Sequence, residues 1–330
     1  MNSKRRKNWI DMMRALAVFF VVLGHFCAKE EPIQMFISPI MMPTFYVVSG
    51  MLLEGGKTSL NEFVAKHMLP YWIPNIIFSF FPLYLLRYFF RKEYVDALNY
   101  TLDFFTGREW WFLPSFVVSQ GIFCLICNLV DSNQIRLAVG AGFFALGIIL
   151  KDVTAANFWS INAACCGVLF LTLGNIYMQN ISAINKLPGF WIGLLTAAYL
   201  AIVGMCFQVC EQPKLDFHNV YYCNIVLCVG AMLVGSILLT TVFSRIQYSN
   251  HLTRLIAFVG RNTLVVYLLQ FILKKYLSKI LQPYFAYDSQ SLISSAGYAI
   301  LVCVIGATIS VGIRRVFPMA FGKINKRSGQ

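Results

Sequence analysis

Charged residues are scarce in this sequence: Asp, Glu, Lys and Arg make up 12% of its 330 residues, whereas hydrophobic residues make up 58%. The apolar residues fall in runs of about 17–25, the length with which a helix crosses a bilayer. Soluble domains do not have this composition. The sequence therefore excludes a soluble protein and predicts an all-α integral membrane protein. Since no long linker or low-complexity tract interrupts the chain, residues 1–330 are expected to form a single membrane-embedded domain.

Acidic residues are scarcer than basic ones, with 14 Asp and Glu against 27 Lys and Arg and a net charge of +13. In a soluble protein this excess would favour nucleic acid as a partner. Here the bases cluster at the ends of the apolar runs, as the positive-inside rule describes. The sequence also lacks a water-soluble segment that combines basic and aromatic residues. We therefore expect the lipid bilayer, and no nucleic acid, as a partner.

Ten apolar segments are predicted to span the membrane. They cover roughly residues 9–28, 35–53, 69–90, 111–130, 135–150, 158–178, 189–208, 220–243, 258–280 and 290–313. The charges of the loops place both chain ends in the cytoplasm, with residues 1–8 as a basic N-terminus and residues 314–330 as a basic tail. Lys274, Lys275 and Lys279 break this charge pattern at the outer end of the ninth segment.

Histidine is rare, with four residues, whereas the chain has ten cysteines. Most of the cysteines lie within apolar runs, where cysteine behaves as a small hydrophobic residue. Cys124 and Cys127 form a C-x-x-C pair in mid-membrane without a partner pair, so no metal site is expected. Cys210 and Cys223 flank a polar loop and would form a disulfide only if that loop faces an oxidising compartment.

The first apolar segment carries three polar residues, Asp11, Arg14 and His25. Such residues are costly in a membrane unless they face protein, ligand or water. At about 100° per residue Arg14 and His25 point the same way, separated by roughly 16 Å along the helix, and Asp11 lies one turn before Arg14. This stripe indicates a functional site. The alternative is an interfacial ion pair and a histidine that is hydrogen bonded between helices.

Seven further residues are candidates for binding. They are Ser49 in the second segment, Lys66 and His67 in the loop that follows, Glu109 and Trp111 at the end of the longest outer loop, and Tyr267 and Gln270 in the ninth segment. The two bases suit a phosphate-bearing cofactor, but equally suit ordinary anchoring at the membrane face. The tryptophan beside an acid suits a polar substrate or an interfacial aromatic belt. The other three would hydrogen bond to a substrate or to neighbouring helices.

Six motifs occur in a fixed order along the chain. They are D-x-x-R followed by ten residues and His, MMPTFYVVSGMLL, AKHMLPYWIP, EWWFLPSF, LGNIYMQN and GRNTLVVYLLQF. In this order they resemble the membrane acyltransferase 3 superfamily, and most closely its sugar O-acetyltransferases of the fucose 4-O-acetylase type. The likeness covers nearly the whole chain, and ten spans also agree with this family.

The resemblance implies transfer of an acyl group, usually acetyl from cytoplasmic acetyl-CoA, to a hydroxyl of a cell-surface polysaccharide or a lipid-linked sugar. It also implies a location in the bacterial cytoplasmic (inner) membrane. His25 and Arg14 match the family's essential histidine and arginine. Lys66 and His67 match its basic junction, which would contact the CoA phosphates.

Two histidines that are frequent in the family are replaced here, by Met41 and by Gln270. The chemistry otherwise agrees with the resemblance, because acyl transfer to a hydroxyl needs a general base whose pKa lies near 7. Arginine stays charged at every relevant pH and binds phosphate through paired donors. We expect His25 to be the base and Arg14 the CoA contact, with Asp11 orienting Arg14 and no metal taking part.

Other interpretations stay open. The main alternative is a multi-span transporter or flippase for an anionic solute or a lipid-linked sugar, in which the buried Arg and His bind the solute and couple protons. Transporters often contain inverted repeats, and the sequence shows no convincing repeat. An acyltransferase with another donor or acceptor, and a catalytically silent relative, are further alternatives. The sequence also leaves open whether the chain forms a homo-oligomer.

Overall fold

The computed structural model describes residues 7–28, 32–53, 58–81, 97–108, 110–153, 158–246, 250–284 and 287–316. Its helices are α1 (Asn8–Phe26), α2 (Ile33–Leu52), α3 (Leu60–Phe63), α4 (Leu69–Asn75), α5 (Ala97–Phe105), α6 (Phe112–Leu129), α7 (Asn133–Ile149), α8 (Ile161–Gln179), α9 (Ile181–Ile184), α10 (Phe190–Val209), α11 (Ile225–Ser244), α12 (His251–Arg261), α13 (Thr263–Leu281) and α14 (Leu292–Val316). π-helical turns follow α3 and α4 at Val64–Met68 and Ile76–Phe80. Two short antiparallel strands, β1 (Leu215–Asp216) and β2 (Tyr221–Tyr222), pair between α10 and α11.

Eight of the described helices are long and apolar enough to cross a bilayer, and the bent pair α12–α13 adds at most one more span. The eight are α1, α2, α6, α7, α8, α10, α11 and α14. The protein is therefore an all-α integral membrane protein, as predicted. The predicted third segment, residues 69–90, lies partly outside the described residues. The number of ten spans and the cytoplasmic placement of both chain ends stay predictions.

The predicted boundary of the ninth segment is wrong. The sequence predicts one helix over 258–280, whereas the chain bends by 80° between α12 and α13. Asn262 lies at the bend with a backbone conformation outside the helical region (φ −117°, ψ 13°). Its side-chain amide donates to the Phe258 carbonyl at 2.8 Å, which ends α12 locally. The second helix of the pair then begins at Thr263.

The predicted start of the eighth segment is also displaced. The sequence predicts this segment from residue 220, but α11 begins at Ile225, because the two residues of β2 still belong to the hairpin. Asn224 caps the helix, since its side-chain oxygen accepts a hydrogen bond from the Leu227 amide at 3.1 Å. An Asn at this position satisfies one of the free amides of a first helical turn.

The contacts divide the chain into two compact units. The first comprises Met1–Leu53, Leu173–Phe217 and Tyr221–Ala307, and the second comprises Glu54–Thr172, His218–Val220 and Thr308–Gln330. Helix α1 lies at the centre of the first unit and packs against α2, α11, α12 and α13. Helix α11 also packs against α2 and α10. The core around α1 contains the fully buried side chains of Val18, Val266 and Val302.

Glycines permit the closest helix contacts of the first unit. A Cβ atom at Gly260 of α12 would overlap the backbone oxygen of Asp11 in α1, and one at Gly174 of α8 would overlap the backbone oxygen of Val47 in α2. Small residues at such crossings let helix backbones approach in a membrane, where packing rather than water exclusion holds helices together. Asn175 reinforces the second contact by donating to the Leu53 carbonyl at 2.9 Å.

In the second unit, the helical stretch from α3 to the second π-helical turn is shaped by prolines. Pro70 and Pro74 lie in α4 and lack the amide that a regular helix uses. The π-helical turns next to α4 accommodate this loss of regular hydrogen bonds. Helices α6 and α8 are joined by Ser119, whose hydroxyl donates to the Ala164 carbonyl at 2.6 Å.

Candidate active site

An ion cluster lies where α1 meets α12. The carboxylate of Asp11 is 3% exposed and lies 3.9 Å from a guanidinium nitrogen of Arg14 and 3.8 Å from Nε of Arg261. Two guanidinium groups therefore share one carboxylate. The side chains of Arg14 and Arg261 are 27% and 41% exposed, so both can also contact a ligand.

The close approach at Gly260 sets the geometry of this cluster. Because Gly260 has no side chain, its backbone lies directly against the backbone of Asp11, which brings the next residue, Arg261, beside the carboxylate. The Nε atom of Arg261 also donates to the Ala257 carbonyl at 3.2 Å, one turn back in α12. An unpaired buried charge is costly, so a buried carboxylate needs charged partners. Asp11 has two of them.

His25 lies in the last turn of α1, at the opposite end from the ion cluster. Its side chain is exposed, and its ring packs against Phe271 of α13 with ring centroids 4.8 Å apart. Lys274 of α13 donates a hydrogen bond from Nζ to the His25 carbonyl. A cation at this position stabilises the carbonyl end of a helix, where the helix dipole is negative.

Two aromatic rings hold Lys274 in place. Its Nζ atom lies 5.0 Å from the centroid of the Phe26 ring and 5.9 Å from that of Tyr287. The Tyr287 hydroxyl in turn donates to the Phe26 carbonyl. The end of α1 that carries His25 is thus fixed by a cation, by cation–π contacts and by a second carbonyl hydrogen bond.

Helices α1 and α13 run side by side in the same direction. This follows from their contacts, because Asp11 lies against the end of α12 just before α13, whereas His25 lies against Phe271 and Lys274 further along α13. Tyr267 and Gln270 therefore lie between the levels of the ion cluster and His25.

Gln270 is an unusual buried polar residue. It is 2% exposed, and neither Oε1 nor Nε2 of its amide has a hydrogen-bond partner among the described residues. Tyr267, one turn before it in α13, is buried as well. Buried amides nearly always have partners, and the exceptions call for an explanation such as a water or a ligand.

Ser49 lies in the last turn of α2 and is buried. Its carbonyl accepts the Leu53 amide at 2.9 Å, which closes the helix. The neighbouring Gly50 carbonyl accepts from Asn175 at 3.3 Å. These contacts belong to the helix packing that the sequence offers as the alternative for this position, and a substrate contact of Ser49 stays a prediction.

Lys66 and His67 lie together in the π-helical turn of the second unit. Lys66 forms a salt bridge and a hydrogen bond with Glu62, one turn earlier. This contact and the charge of Lys66 hold the pKa of the Glu62 carboxyl below its usual value. Burial and the neighbouring Lys66 charge lower the pKa of His67 below 6.5, so its imidazole is neutral at pH 7. Lys66 is therefore the charged member of this pair at neutral pH.

Trp111 precedes α6 in the second unit, and its indole stacks on the imidazole of His218 with centroids 4.6 Å apart and an interplanar angle of 11°. One face of this indole is thereby covered by His218. A sugar ring would have to stack on the other face. Glu109, predicted as its neighbour in a substrate wall, lies outside the described residues.

Comparison with known protein families matches residues 7–315 to the acyltransferase domain of the acyltransferase 3 type. The chain belongs to the membrane acyltransferase 3 superfamily. This confirms the resemblance seen in the motifs and supports membrane O-acyltransferase activity, whereas the fucose 4-O-acetylase subtype stays a prediction. Comparisons with curated proteins and with solved structures give no match.

The structure also adds residues to the site that the sequence does not indicate. Arg261 contributes in the sequence only to the charge asymmetry of the loops, yet it is the second partner of Asp11. Lys274, an exception to the positive-inside pattern, binds the end of α1 that carries His25. Its unexpected charge is the signal that could have identified it. Glu62 precedes Lys66 by four residues, a spacing that indicates an ion pair on a helix.

Proposed function

We propose that this membrane acyltransferase transfers acetyl from cytoplasmic acetyl-CoA to a hydroxyl of a cell-surface polysaccharide or a lipid-linked sugar, in the cytoplasmic membrane of a bacterium. The observation that carries the proposal is the family match over residues 7–315. The polar residues at both ends of α1 support it, as does the buried Gln270 amide, which has no hydrogen-bond partner among the described residues.

The ion cluster contacts the phosphates of acetyl-CoA. Arg14 and Arg261 offer two guanidinium groups against the single carboxylate of Asp11. The permanent charge and the paired N–H donors of arginine suit a phosphate. Asp11 orients both guanidinium groups. An extended pantetheine arm then runs along α1 and places the thioester near the level of His25.

His25 is the general base. Its imidazole takes the proton of the acceptor hydroxyl while the hydroxyl oxygen attacks the thioester carbonyl carbon. The carbon–sulfur bond breaks, the sugar leaves as the acetyl ester, and the CoA sulfur receives the proton, so the base returns to its neutral form. The amide of Gln270 or the hydroxyl of Tyr267 stabilises the negative charge on the carbonyl oxygen.

The second unit supplies further binding groups. Lys66, with His67, contacts a CoA phosphate, and Trp111 with Glu109 contacts the acceptor sugar. The exposure of Lys66 supports its role. Ser49 is a further contact for the acceptor. No step of this reaction uses a metal ion.

The test is transfer from labelled acetyl-CoA by the purified protein, with a panel of glycans and lipid-linked sugars as acceptors. We expect product from the wild type, and about 10²–10⁴-fold less from His25→Ala, the usual contribution of a general base. His251→Ala is the matched control, because His251 is an exposed histidine at the start of α12 and is expected to leave transfer unchanged.

Each result decides a separate point. Equal product from the wild type and His25→Ala would keep the enzyme and overturn the role of His25. Neither product nor CoA binding across a wide panel would overturn the acetyltransferase and favour the transporter. Product with succinyl-CoA alone would correct the donor.

A further inference from the structure

Four cysteines of the first unit come together where α10 ends and α11 begins. They are Cys206, Cys210, Cys223 and Cys228, referred to below as the four-cysteine cluster. The Sγ atoms of Cys206, Cys223 and Cys228 all lie within 4.8 Å of one another. The fourth, Cys210, lies one helical turn after Cys206, directly beyond the end of α10. All four are free thiols in the structure.

The spacing of the cluster is typical of zinc sites. The sequence reads C-x3-C, then twelve residues, then C-x4-C. Structural zinc sites commonly use two ligand pairs, each with two to four residues between its members. The first pair lies one helical turn apart at the end of α10, and the second pair brackets the start of α11.

The distances agree with the size of a metal site. The Sγ atoms of Cys223 and Cys228 are 3.8 Å apart. Zinc–sulfur bonds of about 2.3 Å place the sulfurs of a tetrahedral thiolate site about 3.8 Å apart. Three thiols that are mutually close form three edges of such a tetrahedron, an arrangement that pairwise disulfides do not require.

Local structure holds the thiols in this arrangement. The amide of Cys223 donates to the Lys214 carbonyl at 3.1 Å, which closes the hairpin directly before the second pair. The amide of Cys228 donates to the Asn224 carbonyl at 2.9 Å in the capped first turn of α11. The ammonium of Lys214 lies 5.7 Å from the Tyr221 ring centroid on the same hairpin.

We propose that the four-cysteine cluster binds one zinc ion. The four thiols release their protons to water as the metal binds, and four thiolates around Zn²⁺ leave two negative charges. The metal joins the end of α10, the hairpin and the start of α11, so its role is structural and independent of acyl transfer.

The metal content of the purified full-length protein tests this proposal. We expect about one zinc per chain by elemental mass spectrometry, and at least a tenfold loss in Cys206→Ser and Cys223→Ser. Cys124→Ser and Cys127→Ser are matched controls, since they alter a buried C-x-x-C pair of the second unit and should keep the zinc.

Cobalt substitution provides a readout that needs no variant. Exchange of zinc for Co²⁺ should produce the thiolate charge-transfer and d–d absorption bands of a tetrahedral sulfur site.

A strong chelator should lower the melting temperature of the wild type but leave that of Cys223→Ser unchanged. The comparison of the wild type with Cys223→Ser remains informative even if Cys206→Ser fails to fold.

Three results would overturn the proposal. The first is the absence of zinc from the wild type after purification without chelator. Zinc that remains in both Cys206→Ser and Cys223→Ser is the second. The third is protection of these four thiols from alkylation until a reductant is added, which would show disulfides instead.

Discussion

At the scale of single residues, Asp11 is the centre of the proposed phosphate site. Replacement by Asn removes the charge that two arginines share, so Asp11→Asn should lower the free energy of unfolding by about 1–3 kcal/mol. This expected loss is smaller than the roughly 3–5 kcal/mol lost when one partner of a fully buried ion pair is removed, because both guanidinium groups are partly exposed. We also expect a changed KM for acetyl-CoA, since the arginines lose their orientation. Thermal melts and initial-rate kinetics measure the two effects.

The matched comparison for Asp11 is Asp103→Asn. Asp103 also pairs with an arginine, Arg108, at 3.2 Å, but its side chain is 40% exposed. Exposed ion pairs contribute about 0–1 kcal/mol, so this variant should melt close to the wild type. Equal destabilisation by the two variants would contradict a special role for the buried carboxylate.

Glu62 forms an ion pair with Lys66. Removal of the Glu62 carboxylate is therefore expected to strengthen the binding of acetyl-CoA. In Glu62→Gln the carboxylate of Glu62 no longer competes with a phosphate for the ammonium of Lys66. We therefore expect a lower KM for acetyl-CoA in Glu62→Gln and a higher one in Lys66→Gln. An unchanged KM in both variants would remove Lys66 from the CoA site.

The lowered pKa of His67 predicts the direction in which CoA binding changes with pH. Because burial and Lys66 hold this pKa below 6.5, His67 gains its charge only as the pH falls through values lower than 6.5. Binding of CoA, measured by calorimetry, should therefore tighten on acidification more strongly in the wild type than in His67→Gln. Subtracting the pH profile of His67→Gln from that of the wild type removes the contribution of the titrating CoA phosphates. Identical pH profiles would show that His67 does not contact a phosphate.

At the scale of helices, the contact between α1 and α12 depends on a single glycine. Gly260→Ala would place a Cβ on the backbone oxygen of Asp11, so the helices must separate, with an expected loss of about 1–3 kcal/mol or more. Gly204→Ala is the control, because no atom of the described residues lies within 4 Å of its added Cβ and it is inside α10. This control should gain about 0.5–1 kcal/mol from helix propensity. Melting temperatures that rise in both variants would refute the close approach.

Long apolar runs make most of the helices predictable. The predicted segments 9–28, 111–130 and 189–208 agree with α1, α6 and α10 to within two residues, because twenty apolar residues have few other structures available in a bilayer. The bend at Asn262 is not predicted, since hydropathy does not show where a helix changes direction. The β-hairpin is missed because its strands contain only two residues each.

The site is predictable only as far as it lies on one helix. Asp11 and Arg14 are neighbours by helical spacing, and the structure confirms their pairing. Arg261 is 250 residues away from Asp11 in the chain, so only the folded structure brings them together. The cysteine pairs at 206–210 and 223–228 illustrate the opposite case. Their spacing is visible in the sequence, but their apolar surroundings favour the interpretation as small hydrophobic residues.

At the scale of the whole molecule, the number of spans decides where the chain ends lie. Eight straight helices and the bent pair give at most nine spans among the described residues. An odd number would place the two ends on opposite sides of the membrane. A tenth span within the predicted segment 69–90 would place both ends on one side, as the loop charges predict. We therefore expect fluorescent-protein fusions at either end to be fluorescent and alkaline phosphatase fusions to be inactive.

A C-terminal alkaline phosphatase fusion with full activity would contradict the predicted topology. Fusion between the first two predicted segments, at residues 29–34, is the positive control, because its predicted outer location does not depend on a span at 69–90. The two reporters respond to opposite sides of the membrane, so one set of fusions distinguishes nine spans from ten.

The 80° bend between α12 and α13 determines the depth of the ion cluster. If α13 runs near the bilayer normal, α12 lies nearly flat on the membrane surface, where its exposed Leu252 and Leu255 rest among the lipid headgroups. A bilayer of different thickness would then be accommodated by tilting the spans. Asp11, held against Gly260, would stay at the water boundary whatever the tilt. In that orientation, α12 would hold the charged end of α1 at the membrane surface.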